Sequence, residues 1–292
     1  MTSPGRPGGP TVLRILLGIQ LRRLREGRGI SAKAAAQAIR ASESKISRIE
    51  LGRNAVREVD VADLLKMYGV TDPAEREQLL SLASEANRPG WWHRFNDVLP
   101  PWFQSYIGLE TAAESIRLYA PQFVPGLLQT EGYAATVLAF GDIPPEEMDR
   151  HVAVRKERQR RFAEGHLRLW AILDEEVLRR PVGNDGVMRD QLAHLLAASK
   201  NHNLVLQIIP RGVCGHAAPS GFSVLRFPDP DLPDIVYVEQ LTSALYLDKR
   251  PEVDRYLLAM ERMSILGTDP RTSTRMIEEI LQETGPPHEQ HP

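Results

Sequence analysis

The stretch from Ile30 to Arg53 constrains the fold more than any other part of the chain. An Ala-rich segment (Ala32, Ala34, Ala35, Ala36, Ala38) runs through Ile39 into Arg40-Ala41, and a second segment opens at Ser42. The second segment has apolar residues at Ile46 and Ile49 and polar ones at Glu43, Ser44, Lys45, Ser47 and Arg48. Two short helices with almost no spare residue between them can pack only as a tight pair. The second then buries one face and offers the other, a geometry suited to lying in the major groove of DNA.

The surrounding charge agrees. Residues 11–57 hold eleven Lys and Arg against three acids (Glu26, Glu43, Glu50), whereas the rest of the 292-residue chain is acidic and the net charge is only −2. A basic block on an acidic remainder is the electrostatic footprint of a nucleic-acid-binding module. The length suggests two domains. No apolar run approaches a membrane span. Residues 1–10 are Gly/Pro-rich without the apolar core of a signal peptide, so they are expected to be disordered and the protein cytoplasmic and nucleoid-associated. A single cysteine excludes an internal disulfide.

Within residues 11–87 five helices are expected. Leu17, Leu21 and Leu24 form one stripe of the first, which Gly27 and Gly29 end. Ser31 caps the second, where Ala35 and Ala36 leave room for a close crossing and Ile39 closes the core. Ser42 caps the third, which ends near Gly52. A fourth covers Val59–Tyr68, with Val61, Leu64, Leu65 and Tyr68 apolar, and Asp72-Pro73 opens a fifth running toward Asn87.

Ile30-Ser31, Ala36, Ser42, the run Ile46-Ser47-Arg48-Ile49-Glu50, and Gly52 resemble the phage-repressor/Cro-like helix-turn-helix family, the xenobiotic-response-element type. The resemblance implies that the third helix reads DNA. Glu43, Ser44 and Arg48 face base edges, since Arg can take guanine in bidentate fashion and Glu can accept from cytosine N4. Ser42, Lys45 and Ser47 divide between bases and phosphates, and Lys33, Arg53 and Asn54 grip phosphate, which fixes position rather than sequence. Glu50 is expected to form a structural salt bridge to an Arg of the first helix, such as Arg22 or Arg23. Two positions depart from the family. Arg40 stands where glycine is usual, at a cost of about 1 kcal/mol if the backbone is left-handed. Ala32-Lys33 replaces a common Gln-Glu pair, so the usual Gln contact is not carried over.

Residues 88–101 read as a linker. Arg88-Pro89-Gly90 breaks the helical pattern, Trp91-Trp92 is expected to pack back on one domain, and Pro100-Pro101 follows. Residues 102–284 form the second expected domain, α+β with a small, mainly antiparallel sheet flanked by helices, and a disordered tail fills 285–292. Helices are expected over Tyr106–Tyr119, Glu131–Phe140, Glu146–Ala163, from Asn184 or Asp185 to Ser199, from a cap at Asp248 to Leu266, and over Arg271–Glu283. Strands are expected over Leu167–Ile172, Leu204–Ile209, Phe222–Phe227, Ile235–Glu239 and Tyr246–Leu247. The charged run Arg155–Arg161 reads as a solvated helix face.

In this half Tyr106-Ile107-Gly108-Leu109-Glu110, the run Gln122-Phe123-Val124-Pro125-Gly126-Leu127-Leu128-Gln129-Thr130, Leu173-Asp174-Glu175, Leu178-Arg179-Arg180 and Leu225-Arg226-Phe227-Pro228 are similar to an uncharacterised domain. That domain follows this helix-turn-helix in regulators of high-GC, spore-forming Gram-positive bacteria, described as antitoxin-like or development-linked and often paired with a small partner protein. The resemblance implies no ligand or cofactor.

Catalytic patterns are not met. Cys214 and His216 lie two apart in a Gly-rich loop, but a nucleophile pair needs a third orienting group. The eight histidines show no metal-ligand spacing, and neither a Gly-x-Ser-x-Gly elbow nor a phosphate-cradling Gly loop is present. The expected function is sequence-specific transcriptional regulation by a homodimer on double-stranded DNA, with the second domain sensing a partner or ligand. The alternative is a DNA-binding antitoxin that holds a small partner protein.

Overall fold

The structure is a computed structural model that describes residues 9–52, 54–141, 143–165, 167–213 and 218–284. The disorder expected over residues 1–10 and 285–292 falls outside these except at Gly9 and Pro10, where it is corrected: Gly9 is the N-cap of a helix and Pro10 its first residue, a position that suits proline's missing N–H. The described residues fall into two compact units. One comprises the chain up to Arg94 with Gln104–Ala112 and Pro228–Leu232; the other comprises Phe95–Phe103, Ala113–Phe227 and the chain from Pro233.

The first unit holds the five expected helices: α1 (Pro10–Gly27), α2 (Ala32–Ala38), α3 (Glu43–Glu50), α4 (Glu58–Met67) and α5 (Pro73–Ala86). Their core joins Leu13, Leu17 and Leu21 of α1, Ala35 and Ala36 of α2, Ile46 and Ile49 of α3, and Val61, Leu64 and Leu65 of α4, all buried. Trp92, in a 3-10 turn over Trp91–Phe95, is buried here too, and Trp91 Nε1 donates to Thr111 Oγ1 at 3.2 Å.

The remaining helices are α6 (Pro101–Ala112), α7 (Glu131–Ala139), α8 (Met148–Glu164), α9 (Glu175–Arg179), α10 (Asp185–Ala198), α11 (Arg250–Leu266) and α12 (Pro270–Glu283). The strands are β1 (Ser115–Ala120), β2 (Arg168–Asp174), β3 (Leu204–Ile209), β4 (Phe222–Arg226), β5 (Ile235–Glu239) and β6 (Ala244–Leu247).

The sheet of the second unit corrects the sequence reading. It is larger than expected and mixed, with two parallel and three antiparallel pairings: six strands lie in the order β3-β2-β1-β4-β5-β6. β1 pairs parallel with β2 (Ser115 opposite Arg168) and β2 parallel with β3 (Leu169 opposite Leu204). β1–β4, β4–β5 and β5–β6 are antiparallel. Parallel neighbours need long crossovers, supplied by α7–α8 between β1 and β2 and by α9–α10 between β2 and β3. Both faces are covered. Tyr119, Ile172, Ile209, Phe222, Val224, Val236 and Val238 pack with Val253, Ala259, Met260 and Met263 of α11. Ile116, Leu118, Ala171, Leu173 and Leu206 are buried as well. Strands buried on both sides lose the alternation that marks a half-exposed strand.

Two boundaries also move. The helix expected over Tyr106–Tyr119 stops at Ala112, and Ser115–Ala120 becomes the strand between β2 and β4. Ile116 and Tyr119 fit either period over so short a run, and pairing on both edges decides for the strand. The cap of α11 is Lys249 rather than Asp248, because Pro251 occupies the first turn, where a missing N–H is harmless.

Candidate nucleic-acid interface

Helix α3 is set by its ends, its buried face and one close approach. Ser31 Oγ accepts from the Ala34 N–H at 3.1 Å and Ser42 Oγ from the Lys45 N–H at 3.2 Å, so α2 and α3 are both capped by serine as expected. Between them Arg40 has φ +54°, the left-handed conformation that disfavours a side chain. Ile46 and Ile49 are 1% and 2% exposed, and burying each contributes roughly 1.5–3 kcal/mol. Gly18 of α1 admits the end of α3: a Cβ there would lie 2.5 Å from the Ile49 carbonyl oxygen and 2.6 Å from that of Glu50.

With that face fixed, Ser42, Glu43, Ser44, Ser47 and Arg48 are exposed together, and Lys33 is exposed on α2. Asn54 is exposed in the loop after α3; Arg53 lies outside the described residues. Lys45 differs from its neighbours. It is half-buried, and its Nζ donates to Asp60 Oδ2 at 2.9 Å.

The expected salt bridge from Glu50 to an Arg of α1 is present, and the arginine is Arg25, not the examples Arg22 or Arg23. Arg25 Nε donates to Oε1 at 2.6 Å and Nη2 to Oε2 at 2.9 Å. Arg22 instead pairs with Glu26 on the exposed side of α1. The hydrogen bond to Glu50 raises the Arg25 pKa against the opposing effect of burial. Tyr68 lies close enough to feel this pair. Burial first, and the Glu50 charge second, push its hydroxyl up to about 12.

The sequence reading missed Asp60 and Arg57. Arg57 Nη2 donates to Asp60 Oδ1 at 2.6 Å, and its Nε to Oδ2 at 3.2 Å. Asp60 thus joins Arg57, whose side chain is 75% exposed, to Lys45 of α3. Burial opposes the Asp60 charge, but the hydrogen bonds from Arg57 and Lys45 outweigh it and hold the carboxyl below its usual range. A signal was present: residues 60, 61, 64, 65 and 68 form one helical stripe, and an acid within an apolar stripe calls for a cationic partner.

In the second unit a cleft of about 400 Å³ opens at the carboxyl ends of β2 and β3, lined by Asp174, Glu175, Glu176 and Ile209–Val213. Glu175 accepts from Arg179 Nε at 2.6 Å and from the Arg211 N–H at 2.9 Å. Cys214 and His216 lie outside the described residues.

Comparison with known families matches residues 16–79 to a helix-turn-helix domain and residues 103–279 to a domain of unknown function, DUF5753. The chain belongs to the DUF5753 family. No curated protein and no solved structure matched the chain. The helix-turn-helix match covers α2 and α3 and supports DNA binding and regulation by this DUF5753 protein. No helix among its described residues is long and apolar enough to cross a membrane.

Within the DUF5753 region, the Pro125–Thr130 segment is held by three glutamines. Gln129 Nε2 donates to the Val124 carbonyl at 2.7 Å, and Gln159 Nε2 to those of Gly126 and Gln129 at 2.8 and 2.7 Å. Gln191 both accepts from the Thr130 N–H at 2.8 Å and donates to the Leu128 carbonyl at 2.7 Å. The charged run of α8 is only partly a solvated face: Arg160 is exposed and pairs with Glu157, whereas Arg158 is buried over the Phe103 ring.

Proposed function

We propose that this protein is a sequence-specific transcriptional regulator that reads the major groove with α3. The observation that carries the reading is the arrangement of that helix. Ile46 and Ile49 anchor it, while Glu43, Ser44, Ser47 and Arg48 face solvent within the most basic part of the chain. Glu43, Ser44 and Arg48 take base edges. Ser42 and Ser47 divide between bases and phosphates. Lys33, Arg53 and Asn54 hold phosphate, as does Lys45 whenever it leaves Asp60.

The protein works as a two-fold pair, because one short helix reads few base pairs and two half-sites multiply specificity. The second unit receives the signal, from a small partner protein or a ligand. Its cleft at the ends of parallel strands supports this role, since open α/β sheets take ligands there.

The test is genomic footprinting to find the operator, then anisotropy titration over a salt series. Arg48→Ala should lose about 1–3 kcal/mol and relax preference at one base pair. Lys33→Ala should weaken all sequences alike and reduce the salt slope by about one. If both variants bind as the parent does, α3 is not the reading helix.

A further inference from the structure

The two cations that share Asp60 are not equivalent toward DNA. Lys45 lies in the first turn of α3, between exposed Ser44 and buried Ile46, and Arg57 is the residue before α4. Asp60, in the first turn of α4, is 2% exposed. A carboxylate so shielded from water depends on its cations, and a cation that leaves it abandons a buried charge.

Lys45 carries its charge on one atom. That atom, Nζ, lies 2.9 Å from Asp60 Oδ2, on a side chain only 33% exposed. Arg57 spreads its charge over a planar fork. Its Nη2 bonds Oδ1 at 2.6 Å and its Nε bonds Oδ2 at 3.2 Å, while the side chain as a whole is 75% exposed. Both hydrogens of Nη1 remain for a second acceptor, so Arg57 can hold a phosphate without leaving Asp60. Lys45 can give its charge to a phosphate only by turning away from the carboxylate. Two cations and one anion leave a single net positive charge in the cluster, and Arg57 is the one that displays it.

We propose that Asp60 is a positioning residue for DNA: it withholds Lys45 from the phosphate backbone and leaves Arg57 as the phosphate contact of this cluster. The proposal deepens the DNA-facing reading of α3 and rests on it. The sequence reading counts Lys45 among the contacts and gives Arg57 no role; the geometry points the other way. The consequence is restraint. Affinity for DNA of any sequence grows with the number of phosphates neutralised, and Asp60 keeps that number one lower than the basic residues beside α3 would allow. The base-facing positions 43, 44 and 48 take no part in the tie.

The test is anisotropy titration of the full chain on a short mixed-sequence duplex over a potassium chloride series. Arg57→Ala should flatten the slope of log affinity against log salt by about 0.9, the share of one phosphate contact. Lys45→Ala should flatten it by less than half as much. Asp60→Asn should steepen the slope by about 0.9 and bind about fivefold tighter near 0.15 M salt. K45A/D60N should return to the parent's slope, because the freed cation is gone. Glu58→Gln removes an exposed carboxylate two residues away and should steepen the slope less than Asp60→Asn does. A purely structural Asp60 predicts weaker binding in Asp60→Asn with no steepening. Circular dichroism checks folding, and if Asp60→Asn does not fold, the comparison of Lys45→Ala with Arg57→Ala decides alone.

Equal flattening by those two variants overturns the proposal. So does an Asp60→Asn slope that is unchanged, that survives the loss of Lys45, or that Glu58→Gln matches. A parent without salt-dependent duplex binding overturns the reading of α3 as well. A parent that binds, and loses slope in Lys33→Ala but fails the Asp60 comparison, overturns this assignment only.

Discussion

Arg25 and Glu50 join the end of α1 to the end of α3 through two hydrogen bonds, at 2.6 and 2.9 Å, between side chains only 11% and 8% exposed. Helix α3 is therefore fixed at its start by a serine cap and at its end by a largely buried ion pair, with the two isoleucines between.

Removing one member of that pair leaves the other charged and poorly solvated. Glu50→Gln is expected to destabilise the first unit by about 3 kcal/mol, and Arg25→Met similarly. The double variant Arg25→Met/Glu50→Leu should be milder than either, since no orphan charge remains. Thermal unfolding with hydrogen exchange at the α3 amides measures this. Exchange unchanged in Glu50→Gln would show that the pair contributes little.

Arg40 holds a left-handed backbone with a side chain attached, and no other non-glycine residue among those described has positive φ. Arg40→Gly should relieve the strain and stabilise the first unit by about 1 kcal/mol. Part of that gain is offset by the greater freedom of glycine in the unfolded chain. A lower melting temperature for Arg40→Gly would contradict this account.

The Asp60 cluster predicts a pH dependence. A carboxyl whose pKa is depressed by folding contributes stability that is complete above its unfolded value, near 3.9. That contribution is lost as pH falls through the lower folded value. Asp60→Asn should therefore cost stability at neutral pH and flatten the decline below about pH 4. Melting temperature against pH for parent and variant should converge in acid; curves that stay parallel to the lowest pH would remove Asp60 as the cause.

Gln191 is 1% exposed and serves both a donor and an acceptor of the Pro125–Thr130 segment. Gln191→Leu keeps the bulk but leaves the Thr130 N–H and the Leu128 carbonyl without this partner, a loss of roughly 2–4 kcal/mol. Faster proteolysis within 121–130 would register the loosening, and unchanged proteolysis would count against the clamp.

The first unit was legible because its signals are local. Ser31, Ser42 and Asp72 cap the helices they precede, and the apolar stripe of each helix is complete within its own sequence. The Arg25 partner was not legible, since Arg22, Arg23 and Arg25 differ only in their angle around α1 relative to a helix 25 residues away. The second unit failed where long-range pairing decides. Strands β2 and β3 were located correctly, but nothing within them says that they run parallel; that follows from where α7 to α10 carry the chain. At Ser115–Ala120 a six-residue run fits two periods, and its neighbours β2 and β4 lie about fifty and one hundred residues downstream.

The missing side chain at Gly18 divides this module into what can change and what cannot. A single methyl there would push against two carbonyl oxygens of α3, whereas residues 43, 44, 47 and 48 are exposed to solvent. A randomised library can therefore exchange those four outward positions without meeting the packing that holds α3, while position 18 beneath admits nothing larger than hydrogen.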